Sequence, residues 1–428
     1  MLNGFINAHR PPVFLYIVGV SILPLTFIRV VGNYSAGDLF LTLSFLVLIF
    51  IIVPLSVEPP RFLLANQYAI PFLIFSGGVF ISLSGAHFPT EAILAYLQMF
   101  FIFIICYSLS KYVVSNDRSV RYVLIGLAIM TSALILFMSI FTFLKIDLSY
   151  GLFLLQTGWR GRVSFGGQEP NIPGRIVLQA IPLFLYFTFT TNSLAIRVVN
   201  IIMAILGIMI VILTASRSSM LAGVLGGMLY IFFFIRMNQG IRLRTVILAF
   251  SLATIFFTSM ITVIKVYEVD YQMSLDRLST IFDVQKSQSS LQRIHLMDQA
   301  IRSISNNPIL GKGLDNFHYY TTEGINVHNP IIAAWAENGI FGFLGMLGIY
   351  LITALAIFDS WYQRFYNEKL LMVLAIVASI MIFGDMFMAN SYKRVLWMPV
   401  IIFMTYYSEL KFQASKPQAG QFQPDPAE

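Results

Sequence analysis

Residues 328–357 read HNPIIAAWAENGIFGFLGMLGIYLITALAI, a polar start followed by a long apolar run. Pro330 suits the first position of a helix, and the side chain of Asn329 can accept hydrogen bonds from the free backbone N–H groups there. The apolar run is long enough to span a bilayer as a helix. The sequence therefore predicts a transmembrane helix with His328 at its mouth, beside the positive end of the helix dipole.

The rest of the chain has the same apolar character. Of its 428 residues, 57% are hydrophobic and only 11% are charged. The net charge of +7 is distributed among loops between apolar runs, so it does not indicate a nucleic-acid partner. The single cysteine, Cys106, excludes a disulfide framework and a thiolate metal cluster. The composition predicts an all-α polytopic membrane protein.

Twelve apolar runs are predicted to span the membrane. They cover residues 13–31, 39–57, 62–83, 92–114, 120–144, 176–191, 198–214, 218–235, 245–264, 330–357, 370–389 and 394–409. Lys and Arg are concentrated in the short loops of one side, which predicts that both termini are cytoplasmic. Residues 1–412 are interpreted as one transmembrane domain, and residues 413–428, rich in Gln and Pro, as a disordered cytoplasmic tail.

Two longer loops, about 145–175 and 265–329, are predicted on the outer side. The second is large enough for a small extramembrane unit between the ninth and tenth spans. Apolar residues recur there at helical spacing, namely Leu291, Ile294, Met297, Ile301 and Ile304. We expect an amphipathic helix that lies on the outer face, and Asn306-Asn307-Pro308 should end it.

Three predicted helix starts on the outer side resemble one another. They lie at Asn171, Ser216 and Asn329, and each presents free N–H groups and a positive dipole end that suit an anion. Each also has a basic or titratable residue nearby. These are Arg162 or Arg175 at the first start, Arg217 at the second and His328 at the third.

Arg217 has apolar helix on both sides. A charge at such a depth is costly and usually pairs or binds a substrate. The alternative is that the side chain extends to the lipid headgroups. A diphosphate would suit it as a ligand, because the planar guanidinium binds phosphate oxygens in pairs.

Other polar residues are weaker candidates. The remaining histidines are His9, His87, His295 and His318, and a lone histidine in a loop is more often solvated or structural. Glu337-Asn338-Gly339 within the apolar run indicates a helix break or a buried polar contact. Asp385 and Asn390 are interpreted either as packing partners or as site residues. The chain lacks a glycine-rich phosphate loop, a paired-histidine zinc signature and a nucleophile elbow.

Three segments together resemble one family. The first runs from Arg162 to Pro170-Asn171, and the second is Leu213-Thr214-Ala215-Ser216-Arg217-Ser218. The third begins at Arg293 and contains Pro308-Ile309-Leu310-Gly311-Lys312-Gly313, then His328-Asn329, then Glu337-Asn338-Gly339-Ile340-Phe341-Gly342. Over residues 160–345 the chain is similar to the O-antigen ligase and polysaccharide polymerase superfamily of integral membrane glycosyltransferases.

The resemblance implies a reaction and its site residues. The donor would be a glycan on undecaprenyl diphosphate, used without metal or cofactor and with inversion, at the periplasmic face of a bacterial inner membrane. His328 would be the general base, and Arg217, Arg293 and Arg162 would bind the diphosphate. Arg160 competes with Arg162 for one family position, as Arg302 does with Arg293. Supporting roles would fall to Asn171, Lys312, Asn329 and Glu337.

Several functions remain open at this point. A ligase would use lipid A–core as the acceptor, and a polymerase would join the growing glycan to another repeat unit. The ligase is preferred because the chain lacks a large additional outer domain. Transfer to protein ranks lower for a related reason, since such transferases usually carry more outer mass. A transporter is disfavoured, because matching halves with broken helices are not visible in the sequence.

Overall fold

The computed structural model describes residues 11–25, 29–31, 34–52, 66–114, 117–144, 171–214, 216–237, 288–362, 368–388 and 393–415. Its helices are α1 (Pro11–Ile22), α2 (Ala36–Val47), α3 (Ala69–Ser82), α4 (Pro89–Val114, with a π-helical segment at Phe101–Cys106), α5 (Asp117–Phe143), α6 (Asn171–Thr190), α7 (Leu194–Leu213), α8 (Arg217–Met237), α9 (Gln288–Asn306), α10 (Pro330–Tyr362), α11 (Lys369–Asp385) and α12 (Arg394–Ser415). A π-helical turn at Leu48–Ile52 extends α2, and 3-10 turns lie at Leu83–Gly85 and Phe317–Tyr320.

The helical class is confirmed for the described residues. Every predicted span except 245–264 overlaps one of these helices, and residues 245–264 lie outside the described part of the chain. Within the described ranges, five helices are long and apolar enough to cross a membrane. They are α4, Ser119–Thr142 of α5, α6, α7 and α10.

The predicted first span, residues 13–31, is wrong at its end. Helix α1 ends at Ile22, and Arg29–Val31 forms a strand, β1, that pairs antiparallel with β2, Tyr34–Ser35. Pro24 disfavours helical backbone in the residue before it, and β-branched residues such as Val31 favour a strand. The predicted tail also begins too early, because α12 continues to Ser415.

Helix α11 lies at the centre of the bundle. It packs against α6, α8, α10 and α12, and every residue from Leu370 to Ala378 is buried. A helix that is apolar all round is expected in such a position. The outer helices instead expose large apolar side chains, such as Ile70 and Leu73 on α3, as a lipid-facing surface requires.

Helix α10 is divided by a break in its backbone. Asn338 has φ −121° and ψ 15°, and Gly339 has φ 63° and ψ −163°, so neither residue is helical. The predicted helix break is therefore confirmed. Beyond it, exposed side chains recur every three or four residues, namely Phe341, Leu344, Leu347, Leu351, Leu355 and Phe358. Residues 340–362 alone are about 34 Å long, enough to cross the hydrocarbon core of a bilayer.

Helix α3 packs antiparallel on this membrane segment of α10. A Cβ atom on Gly78 would lie 2.5 Å from the backbone nitrogen of Gly342. In a bilayer no hydrophobic effect drives two helices together, so they associate through close packing. Small residues such as glycine allow this close approach. At the far end of the contact, the hydroxyls of Tyr68 and Thr353 share a hydrogen bond of 2.6 Å. This packing fixes the half-helix before the break, Pro330–Glu337, at one end of the bundle.

The predicted amphipathic helix is present as α9, and it ends at Asn306 as expected. Its apolar residues, however, do not form one buried face. Leu296, Ala300 and Ile304 are buried, while Leu291, Ile294 and Ile301, which were predicted on the same face as Ile304, are exposed.

Candidate active site

His328 lies two residues before α10, as predicted. The side-chain oxygen of Asn329 accepts hydrogen bonds from the N–H groups of Ile331 and Ile332, both at 3.1 Å. Pro330 is the first helical residue. The predicted cap is confirmed. It fixes the backbone at Asn329, and so the position at which His328 precedes the helix.

A backbone carbonyl sets the tautomer of His328. Nδ1–H of its ring donates to the carbonyl oxygen of Asn326 at 3.1 Å, and since a carbonyl can only accept, Nδ1 carries the proton. The lone pair of a neutral ring then lies on Nε2. That nitrogen is the one available to take a proton from another molecule.

Arg293 on α9 lies close enough to His328 to affect its titration. Burial of the ring, first, and the positive charge of Arg293, second, lower the pKa of His328 from 6.5 to about 4, while the carbonyl of Asn326 acts in the opposite direction. The imidazole is therefore neutral at pH 7. Arg302, the competing arginine, has a side chain that is 77% exposed and pairs with Asp298 at 2.7 Å.

A chain of hydrogen bonds supports the segment that carries His328. The side-chain nitrogen of Asn326 donates to Asp315 at 2.7 Å, and its oxygen accepts from the backbone N–H of His318 at 3.0 Å. The side-chain carboxyl group of Glu337 accepts hydrogen bonds from the backbone N–H groups of Asp315 and Phe317. Asp315 has φ 55°, a conformation that non-glycine residues adopt only when their surroundings impose it. Glu337 thus supports His328 through Asp315 and Asn326.

The loop before His328 also holds the break in α10. The backbone N–H groups of Lys312 and Gly313 donate to the carbonyl oxygen of Glu337 at 2.8 and 2.7 Å. These bonds satisfy a carbonyl that the broken helix leaves without a helical partner. The ammonium of Lys312 lies 4.9 Å from the ring centre of Tyr320. Lys312 and Glu337, predicted as supporting residues, are therefore placed to hold the loop.

A cavity of about 30 Å³ lies beside this network. Its polar lining is Asp315, Asn326 and Glu337, and apolar side chains such as Met346 and Met388 complete it. A water needs about 10–15 Å³ of such space and several polar partners, so the cavity suits one or two waters. A sugar does not fit there.

The other two predicted helix starts lie together. Helix α6 begins at Asn171, and a Cβ atom on Gly174 would lie 2.8 Å from the hydroxyl oxygen of Thr214, just before α8. Helix α8 begins at Arg217, whose side chain is partly buried, and the hydroxyl of Ser216 caps the N–H of Ser219 at 3.3 Å. Helix α11 packs against α6, α8 and α10 and so connects this group to the His328 helix.

Three predicted residues cannot be placed in this arrangement. Arg160, Arg162 and Asn390 lie outside the described residues. Among the described residues, no group of three or more His, Cys, Asp or Glu side chains is positioned to hold a metal ion.

A buried ion pair in the bundle was only partly foreseen. Arg175 of α6 pairs with Asp385 at 3.3 Å, and the hydroxyl of Tyr350 also donates to that carboxylate. Two guanidinium nitrogens of Arg175, Nε and Nη2, are buried without a hydrogen-bond acceptor among the described residues. Asp385 thus contacts α6 and α10, as its interpretation as a packing partner requires. The signal for it was the cost of a carboxylate in an apolar helix.

These features define an integral membrane protein with a neutral histidine and a nearby cation at one end of its helices. Residues 202–347 match the family model described as O-Antigen ligase (Wzy_C). The matched stretch contains Arg217, Arg293 and His328, and it confirms the resemblance to the O-antigen ligase superfamily. A search of curated proteins found no match.

Proposed function

We propose that the protein transfers a glycan from undecaprenyl diphosphate to an acceptor hydroxyl. The observation that carries this proposal is the neutral imidazole of His328, with Nε2 available, beside the guanidinium of Arg293. The family match supports a lipid-linked glycan and an acceptor as substrates. The proposed setting is a bacterial inner membrane that the chain spans twelve times, with both termini cytoplasmic and His328 facing the periplasm.

The proposed reaction is a single displacement. The acceptor hydroxyl oxygen attacks the anomeric carbon, and the bond between that carbon and the diphosphate oxygen breaks. Nε2 of His328 takes the hydroxyl proton as the new bond forms. Arg293, Arg217 and Arg162 stabilise the negative charge that develops on the departing diphosphate. Attack from the face opposite the leaving group inverts the anomeric centre.

The low pKa of His328 fits a site that awaits an anion. Without donor, the charge of Arg293 disfavours protonation of the ring. A bound diphosphate would offset that charge and raise the pKa of His328, which makes the imidazole a stronger base once the donor is in place. Its basicity would therefore rise when the reaction requires it.

The pH dependence of transfer should show this coupling. The acidic limb of the kcat/KM profile reports the free enzyme and is expected near pH 4. The acidic limb of the kcat profile reports the donor complex and should lie at a higher pH. Removing a positive charge by Arg293→Gln should move the kcat/KM limb of the residual activity upward. Arg302→Gln is the matched control and should leave it in place. Coincident limbs near pH 6.5 in both variants would contradict the assigned role of His328.

The acceptor is proposed to be lipid A–core, which makes the protein an O-antigen ligase. A strain that lacks the protein should then carry long glycans on the lipid carrier and none on lipid A–core. Analysis of the glycans on each of these two lipids would show this. Single repeat units attached to the core would instead identify a polymerase. Transfer by the purified protein in excess chelator tests the proposed independence from metal, and loss of activity that added Mg²⁺ restores would reject it.

A further inference from the structure

Helix α9 has three distinct flanks, roughly 120° apart at 100° per residue. One is buried against the protein and contains Leu296, Ala300 and Ile304, which pack with Phe317, Val327 and Ala336. The second, which we call the aliphatic flank, consists of Leu291, Ile294 and Ile301, exposed by 48, 55 and 52%. The third, the polar flank, consists of Gln292, His295 and Gln299.

The polar flank faces a hydrophilic loop. The side-chain amide of Gln299 donates to Thr322 at 2.9 Å and to Glu323 at 3.2 Å, and His295 lies 3.5 Å from Glu323. By the same 100° per residue, Asp298 falls between Leu291 and Ile294, and Arg302 falls between Leu291 and His295. Their exposed side chains pair with each other at 2.7 Å. The polar flank is therefore the side of α9 that contacts polar groups, and Ile294 and Ile301 point away from it.

The chain leaves α9 at the end of a membrane segment. Ile309 and Leu310 follow the helix with side chains exposed by 57 and 44%. The backbone of Ile309 touches Gly339 at the break in α10, so closely that a Cβ atom there would overlap the carbonyl oxygen of Ile309. The lipid-facing row of α10 begins two residues later, at Phe341. The C-terminal end of α9 is thus continuous with the surface that contacts lipid.

We propose that α9 lies along the membrane surface, with its aliphatic flank in the boundary between the headgroups and acyl chains of the bilayer. If the helix stood upright on the membrane, Leu291 and Ile294 would project into water, more than a dozen residues from the end of the span. A helix that lies flat gives all three aliphatic side chains an apolar partner and leaves the polar flank in water.

This placement has a consequence for Arg293, which lies next to the buried flank and beside His328. A helix anchored at the headgroup level holds its guanidinium at the same level. A phosphate group attached to a lipid lies at that depth as well. The placement of α9 does not depend on the proposed reaction, so either can fail without the other.

Single cysteines report the environment of each flank. Cys106, the only cysteine, is buried, so a cysteine introduced on α9 is the accessible thiol of the full-length chain. Ile294→Cys and Ile301→Cys would be labelled with an environment-sensitive fluorophore in phospholipid nanodiscs that hold one copy each. Gln292→Cys is the matched control on the polar flank. Quenching is then compared between nitroxides attached to lipids and a water-soluble quencher.

The two labels on the aliphatic flank should show blue-shifted emission and be quenched several-fold more by lipid nitroxides than the label at position 292. The control should respond mainly to the water-soluble quencher. Labels at 294 and 301 that respond like the control would overturn the proposal. Labels shielded from both quenchers would also overturn it, because they would show that protein, from this chain or a second copy, covers the flank.

Discussion

Replacing His328 with alanine is expected to reduce glycan transfer by about 10²- to 10⁴-fold, the range that a general base contributes. The variant removes Nε2, which the hydrogen bond from Nδ1–H to Asn326 leaves free to accept a proton. The cap of α10 belongs to Asn329, so the helix start is unaffected. Initial rates with purified protein, lipid-linked glycan and acceptor measure the loss.

His295→Ala is the matched control for this experiment. His295 lies on α9, on the same outer unit of the protein, but its side chain is largely exposed and pairs with Glu323. The His295→Ala variant should retain the transfer rate of the wild-type protein. His328→Ala and His295→Ala should both accumulate in the membrane and unfold at the temperature of the wild-type protein. If His328→Ala keeps most of its activity, His328 is not the base.

The second large effect is expected from Gly339→Ala. The backbone of Gly339, at φ 63° and ψ −163°, lies in a region that is essentially restricted to glycine. A side chain there costs about 1–3 kcal/mol in backbone strain and would also overlap the carbonyl oxygen of Ile309. The loop through Lys312 and Asp315 would have to move, and with it the support of His328. We expect a lower unfolding temperature together with loss of transfer.

Gly77→Ala separates this effect from a general intolerance of the bundle to alanine. Gly77 is helical, and a Cβ atom added to it meets nothing within 4 Å. Alanine is favoured over glycine in such a position by up to about 1 kcal/mol, so the control should be neutral or slightly stabilising. Equal unfolding temperatures for Gly339→Ala and the wild-type protein would show that the break is not held as described.

The features that the sequence predicted well are local ones. The cap at Asn329, the helix start at Pro330 and the end of α9 at Asn306 all follow from the preferences of a few neighbouring residues. The break at Glu337-Asn338-Gly339 could be expected because polar residues and glycine interrupt an apolar run. The proximity of Arg293 to His328 was implied only by family resemblance, since the two residues lie on different elements.

The features that the sequence missed depend on contacts between distant segments. The periodicity of α9 shows which residues are apolar, but not which of them meet Phe317 and Val327, so the buried and exposed flanks could not be separated. The pairing of Arg175 with Asp385 joins α6 to α11 and has no signature in either helix alone. The first predicted span was too long because apolar β-branched residues suit a strand as well as a helix.

The break at Asn338 and Gly339 separates two parts of α10 that depend on different surroundings. The residues after Gly339 form an apolar helix whose length must match the thickness of the bilayer. The residues before the break are held by the loop that donates hydrogen bonds to Glu337. Helix α9, the loop and the first part of α10 share a small apolar core that is separate from the core of the membrane helices. A change in that core would therefore reach His328 before it reached the bundle.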